Sequence, residues 1–175
     1  MHPEILSIAL FWFVTAYTPG PNNVVASYSG FNFGITKTIP HILGVTLGFT
    51  SLVIFLTIGL INVFKLFPII QISIKYLGTL FLIYLAYKIA SSTSSNEVQK
   101  ENPVKFLETF LFQYLNPKGV MVAIIVVSTY VELGENYINY ATQVVLLAFL
   151  FSSTSITLWT FIGKFLRKFA TNEKF

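Results

Sequence analysis

Lys118 stands inside Asn116-Pro117-Lys118-Gly119, and that motif interrupts an apolar run from Val104 to Val131. A second interruption, Thr18-Pro19-Gly20-Pro21-Asn22-Asn23, divides the apolar run from Ile5 to about Ser29. Proline and glycine cannot continue a regular helix at either place. A half-helix that begins after such a break has backbone N–H groups without intrahelical partners, and they carry partial positive charge. Such an end favours an anion. Asn22, Asn23 and Asn116 can cap these ends or offer amides to a ligand, while Lys118 adds a full cation. The chemistry of the set is recognition of a carboxylate. Thr18, Pro19, Gly20, Pro21, Asn22, Asn23, Asn116, Pro117 and Lys118 are therefore the candidate substrate-binding residues. Two plainer readings stay open at this point. Lys118 snorkels to an interface if its span starts only at Val120, and the prolines are simple kinks.

The elements that must position these residues belong to a membrane. The chain has 175 residues, of which 54% are hydrophobic and 10% charged, with a mean hydropathy of +0.71. Soluble domains are roughly 25% charged. There is too little polar side chain here to coat a globule. With no cysteine there is neither a disulfide framework nor a thiolate metal site. Two histidines give no metal cluster, and no catalytic triad or phosphate-cradling loop is in view. No enzyme, cofactor or metal is implied. The formal charge of +4 falls where topology would put it, so nucleic acid is not a partner. Glu4 replaces a basic leader region and no small-x-small exit follows, which makes the first apolar run a retained span.

A transmembrane helix needs about 20 mostly apolar residues. The expected spans are 5–29, 39–61, 69–88, 104–131 and 140–162, with the first and fourth broken and Pro40 in the first turn of the second. The fold class is all-α: a polytopic transmembrane bundle of five spans. Residues 91–103 form a polar cytoplasmic linker, and the tail from Lys164 is basic and amphipathic. With the N-terminus outside, Lys37, Lys88, Lys100, Lys105, Lys164, Arg167, Lys168 and Lys174 lie inside, against Lys65 and Lys75 outside.

Aligning Pro19 with Pro117 gives an offset of 98 residues and brings the starts of the two broken spans together. Three spans separate the copies, so the second is inverted. The expected organisation is one transporter domain over residues 1–175. Repeat one covers about 5–90 and a partial repeat two about 104–175 of a three-plus-three plan. Paired interrupted spans in inverted halves point to a transporter binding site. Gly44 and Gly48 form a GxxxG pair, as do Gly30 and Gly34. Such spacing lets backbones approach, within one chain or in a homo-oligomer, or along a substrate path. Glu108 and His41 are expected near the cytoplasmic surface, and Trp159 is expected to pack inside the bundle.

The motifs TPGPNN, GVTLGF, YLAYKIASS and NPKG resemble the LysE/RhtB family of amino-acid exporters over about residues 5–168. The stretches TPGPNNVVASYSG and FLFQYLNPKGVMVAIIVVSTYV are most similar to its cysteine/O-acetylserine branch. The resemblance implies a multi-pass protein of the bacterial inner membrane, surrounded by lipid. It implies efflux of a small amino acid or related metabolite by proton exchange and alternating access. Carried over by position, the motif residues are Thr18, Pro19, Gly20, Pro21, Asn22, Gly44, Gly48, Asn116, Pro117 and Lys118. Phe49 stands where many relatives carry an acidic residue, which argues against a basic substrate. Relatives usually continue into a sixth span, whereas this sequence stops at Phe175. The expectation is a shortened chain, completed by a partner or inactive. The rival readings are a transporter of another small solute and a non-transporting or degenerate membrane scaffold.

Overall fold

The structure, a computed structural model, describes residues 2–60, 103–132 and 134–170, with isolated positions between 66 and 87. The expected third span and the polar linker lie outside the described residues, apart from Pro103 and those isolated positions. Regular structure among the described residues is helical: α1 (Ile5–Tyr17), α2 (Pro21–Phe55) running into a π-helical turn (Leu56–Leu60), α3 (Phe106–Leu115), α4 (Pro117–Tyr130) and α5 (Tyr137–Ala170).

The helix ends follow from proline chemistry. A residue before proline is pushed out of the α region. Thr18 (ψ 136°) precedes Pro19, Gly20 (ψ 177°) precedes Pro21, and Asn116 (ψ 104°) precedes Pro117. All three are extended, so α1 and α3 stop there. Pro21 and Pro117 then occupy the first positions of α2 and α4, where a missing N–H costs nothing. The proline that matches Pro117 in role is thus Pro21, two residues later than the sequence alignment places it.

α2 is two arms, not one rod. At Gly34 the backbone takes φ 76° and ψ 178°, a conformation that needs glycine. In a straight helix Asn22 and His41 would lie about 28 Å apart, at 1.5 Å per residue. Here His41 Nε2 is 3.3 Å from the Asn22 carbonyl, and Ser29 Oγ is 2.8 Å from Thr38 Oγ1. The arms therefore run antiparallel. The second begins at residue 35, so Pro40 stands in its second turn and not its first.

Contacts with α5 show how α1 and the first arm continue one another. His2 N donates to Gln143 Oε1, Ser155 Oγ to the Ala16 carbonyl, Ser27 Oγ to the Trp159 carbonyl, and Arg167 to the Asn32 carbonyl. Both numbers rise together, so α1 and the first arm run parallel to α5 in unbroken order and form one interrupted crossing. α3 and α4 form the other: His41 meets Thr109, Ser51 Oγ meets Tyr114 Oη, and Phe49 meets Gly119. This crossing follows the second arm in parallel and is therefore opposed to the first. His2 closes the frame by bonding the Tyr130 carbonyl at the end of α4.

Pro21–Gly59 and Tyr137–Ala170 are each long and apolar enough to cross a membrane, and α3 with α4, bent by 60°, make a third if taken as one span. Folded at Gly34, the first of these supplies one arm to each neighbouring crossing. Leu10, Phe13 and Val14 of α1 and Leu146, Phe149 and Leu150 of α5 remain exposed, a surface suited to lipid and not to water. One end of the bundle carries Lys37, Lys105, Lys164, Arg167 and Lys168; the other carries Glu4, Glu132 and Glu135.

Packing differs between the two ends. Towards the acidic end the core is apolar, with Ile8, Trp12, Leu52, Val53, Val126, Val144 and Ala148 buried together. Towards the basic end backbones touch. A methyl at Gly30 would overlap the Thr160 backbone, and one at Gly163 would overlap the Ser27 backbone. Gly44 and Gly48 press on α3 in the same way: a methyl on either would come within 2.7 Å of the Phe106 or Phe110 carbonyl oxygen. Trp159 packs against Ala26, Val45 and Ile156.

Candidate functional site

The two breaks meet. Lys118 Nζ, at the start of α4, donates to the Thr18 carbonyl at 2.8 Å across the gap between the crossings. Its chain lies over Gly20, where an added Cβ would come within 3.0 Å of both Lys118 Cδ and Nζ. Glycine at position 20 is what lets the lysine cross.

In lipid, backbone groups freed by a break must find partners within the protein. The first break finds them in side chains. Asn23 Nδ2 donates to the Ala16 carbonyl (2.9 Å) and the Thr18 carbonyl (3.0 Å), and Ser155 Oγ donates to Ala16 as well (2.7 Å). Asn22 turns the other way. Its amide pairs reciprocally with Gln113: Asn22 Nδ2 to Gln113 Oε1 at 2.8 Å, and Gln113 Nε2 to Asn22 Oδ1 at 3.2 Å. Gln113 also donates to the Thr109 carbonyl, and His41 bridges the Asn22 carbonyl and Thr109 Oγ1. This buried polar network ties the first arm, the second arm and α3 together just below the breaks.

Above the network, between the crossings and α5, lies a cavity of about 70 Å³. That is room for roughly five waters at 10–15 Å³ each. Its wall includes Gly20, Pro21, Asn22, Asn23, Asn116, Lys118 and Gly119 from the breaks, with Trp12, Phe49, Ser152 and Ser155 around them. Among the described residues, one cation and no carboxylate line it. The first-turn N–H groups of α2 and α4 open near the same space, since Val24 and Val120 are the first residues to bond back to Gly20 and Asn116. An anionic head of a small molecule would find a cation and two helix N-termini here. Among the described residues there is no group of histidine and acidic side chains that could hold a metal.

The candidate residues of the sequence thus divide. Gly20, Pro21, Asn22, Asn23, Asn116 and Lys118 line the cavity. Thr18 enters through its carbonyl, and Pro19 and Pro117 set backbone geometry. Gly44 and Gly48 stand away from the cavity wall, against α3. Glu108 is exposed at the first turn of α3. Sequence reasoning missed Trp12, Gln113, Ser152 and Ser155. Gln113, a lone amide one turn before Asn116 in an apolar helix, was the one with a usable signal, because a buried amide must be paired.

Comparison with known proteins gives the same direction. Residues 13–173 match the family described as LysE type translocator. The cysteine/O-acetylserine efflux protein of Salmonella typhimurium (strain LT2) is 30% identical over 166 residues, which cover 93% of this chain and 84% of that protein. The protein of the same name from Escherichia coli (strain K12) is 27% identical over 167 residues, with the same coverage. No solved structure matches the chain.

Proposed function

The chain belongs to the LysE type translocator family, and we propose that it exports a small neutral amino acid or a related metabolite across the inner membrane of a bacterium. A translocator moves its substrate unchanged, so the chain is not an enzyme. Cysteine and O-acetylserine, named for its relatives, are the first substrates to try.

The observation that carries this reading is the meeting of two opposed, interrupted crossings around one cavity whose described wall holds one cation and no carboxylate. The substrate carboxylate would lie between the first turns of α2 and α4. The Lys118 ammonium has three N–H donors, one of them on the Thr18 carbonyl, which leaves donors for the substrate. An apolar ring, Phe49, and the small volume favour a short neutral side chain over a cationic one. Since the crossings are opposed, one reaches the cavity from each side of the membrane, the arrangement expected when two inverted halves rock about a central site. Inward proton movement would drive the cycle. The basic end of the bundle faces the cytoplasm and the acidic end the outside, following the excess of Lys and Arg in cytoplasmic segments.

The test is efflux. Cells expressing the chain are preloaded with a mixture of amino acids and the medium is followed against cells without it. Faster appearance of cysteine, O-acetylserine or another small neutral amino acid supports the reading. Equal rates from a well-inserted protein defeat it.

A further inference from the structure

Two residues of the cavity wall each carry a buried side-chain polar atom that lacks a partner among the described residues. Trp12 Nε1 is one and Asn116 Oδ1 the other, on residues only 1% and 3% exposed. One is a donor without an acceptor; the other is an acceptor that has no donor. An unmade hydrogen bond at a buried group is costly, more so where no water can stand in. Both residues line the same cavity.

Their places fit the two ends of one small molecule. Asn116 lies in the break itself, two residues from Lys118. With the carboxylate on Lys118 and no acidic side chain at the wall among the described residues, Asn116 Oδ1 is the buried oxygen left to receive an α-ammonium. Trp12 stands six residues before Thr18, about 9 Å along α1. Its ring meets Phe49 edge to face, with centroids 5.5 Å apart, and Phe49 reaches Gly119 at the second break. Trp12 thus faces the part of an amino acid that points away from its charged head: the side chain.

Resting on the transport reading above, we propose that Trp12 is a specificity-determining residue. Its indole N–H donates to a hydrogen-bond acceptor on the substrate side chain, while Asn116 receives the ammonium. The substrate class is then zwitterions whose short side chain carries a hydroxyl or ester oxygen. A thiol, being a weak acceptor, is taken less well, and an aliphatic side chain of equal size is taken worst.

The pair to compare is serine and 2-aminobutyrate, which differ by OH against CH3, with O-acetylserine beside them. The chain has two tryptophans, so Trp159→Phe leaves Trp12 as the sole indole. That protein, purified whole into lipid nanodiscs, is titrated with each amino acid while indole emission is read. Trp12→Phe, which keeps a ring against Phe49, is measured by competition. The expected result is a saturable change in Trp12 emission with serine and O-acetylserine. Serine should be preferred over 2-aminobutyrate by about tenfold, and Trp12→Phe should abolish the preference while changing 2-aminobutyrate affinity less than about twofold. If the N–H serves only the Phe49 ring, Trp12→Phe moves all three alike or none, and the proposal is overturned. Absence of saturable binding to the unmutated protein sinks the transport reading, and this proposal with it, before any variant is made.

Discussion

The two breaks use one device, proline at the first position of a new helix, and finish it differently. In the first, three residues separate α1 from α2, and the freed carbonyls of Ala16 and Thr18 are met by Asn23 and Ser155. In the second, Asn116 alone separates α3 from α4; its side-chain oxygen has no partner among the described residues, and the next residue but one is a lysine. The freed carbonyls of the first break are met by protein side chains, Ser155 of α5 among them. The second reaches outward, and its lysine supplies the last donor to the first. A break whose carbonyls are met by side chains holds its geometry, whereas one that keeps a cation and an acceptor without a partner among the described residues has chemistry left for a ligand.

The comparison can be broken by substitution. Lys118→Ala should give the largest effect: removing a charge-assisted contact of about 1.5–3 kcal/mol lowers transport roughly 10- to 100-fold, with normal membrane abundance. Efflux rates corrected for abundance check it. Asn23→Leu should do the reverse. It takes one of two donors from each of the Ala16 and Thr18 carbonyls, costing about 0.5–1.5 kcal/mol, which appears as a lower unfolding temperature in detergent. Transport per folded molecule changes little. If Asn23→Leu abolished transport in well-folded protein, the division of labour would be wrong.

Below the breaks, the Asn22–Gln113 pair offers a cycle. Either Leu substitution alone leaves a buried amide unmet, but both together remove the need. The double variant should be more stable than the sum of singles by about 1–2 kcal/mol, read from denaturation midpoints. Gly20→Ala should be the mildest. The added methyl meets the flexible end of Lys118 and not backbone, so stability holds and transport falls only a few-fold as the lysine is displaced from Thr18.

Much of this was legible in the sequence. Pro19, Pro21 and Pro117 announce where helices stop, because the residue before proline leaves the α region whatever surrounds it. The apolar runs announce the crossings. Lys118 marks a candidate site, because a cation inside such a run needs a reason. What could not be read was lateral. Nothing in the sequence around Trp12 says that Phe49 will stand against it, and the Asn22–Gln113 pair joins residues 91 apart. The role of Gly34 as the reversal of α2 was hidden by its GxxxG spacing with Gly30. Only the fold shows that Gly30 meets Thr160 while Gly34 makes the turn. The same locality explains the misplaced alignment: Pro19 and Pro21 are both breakers, and only helix geometry tells which one starts the new helix.

The central claim is that Lys118 holds the substrate carboxylate between the breaks. The direct measurement is counterflow in proteoliposomes of serine against serinamide, which lacks the carboxylate, in the unmutated protein and in Lys118→Ala. The account predicts that the unmutated protein favours serine by at least about tenfold and that the preference disappears in Lys118→Ala. An undiminished preference for serine in the variant would place the carboxylate elsewhere and contradict it.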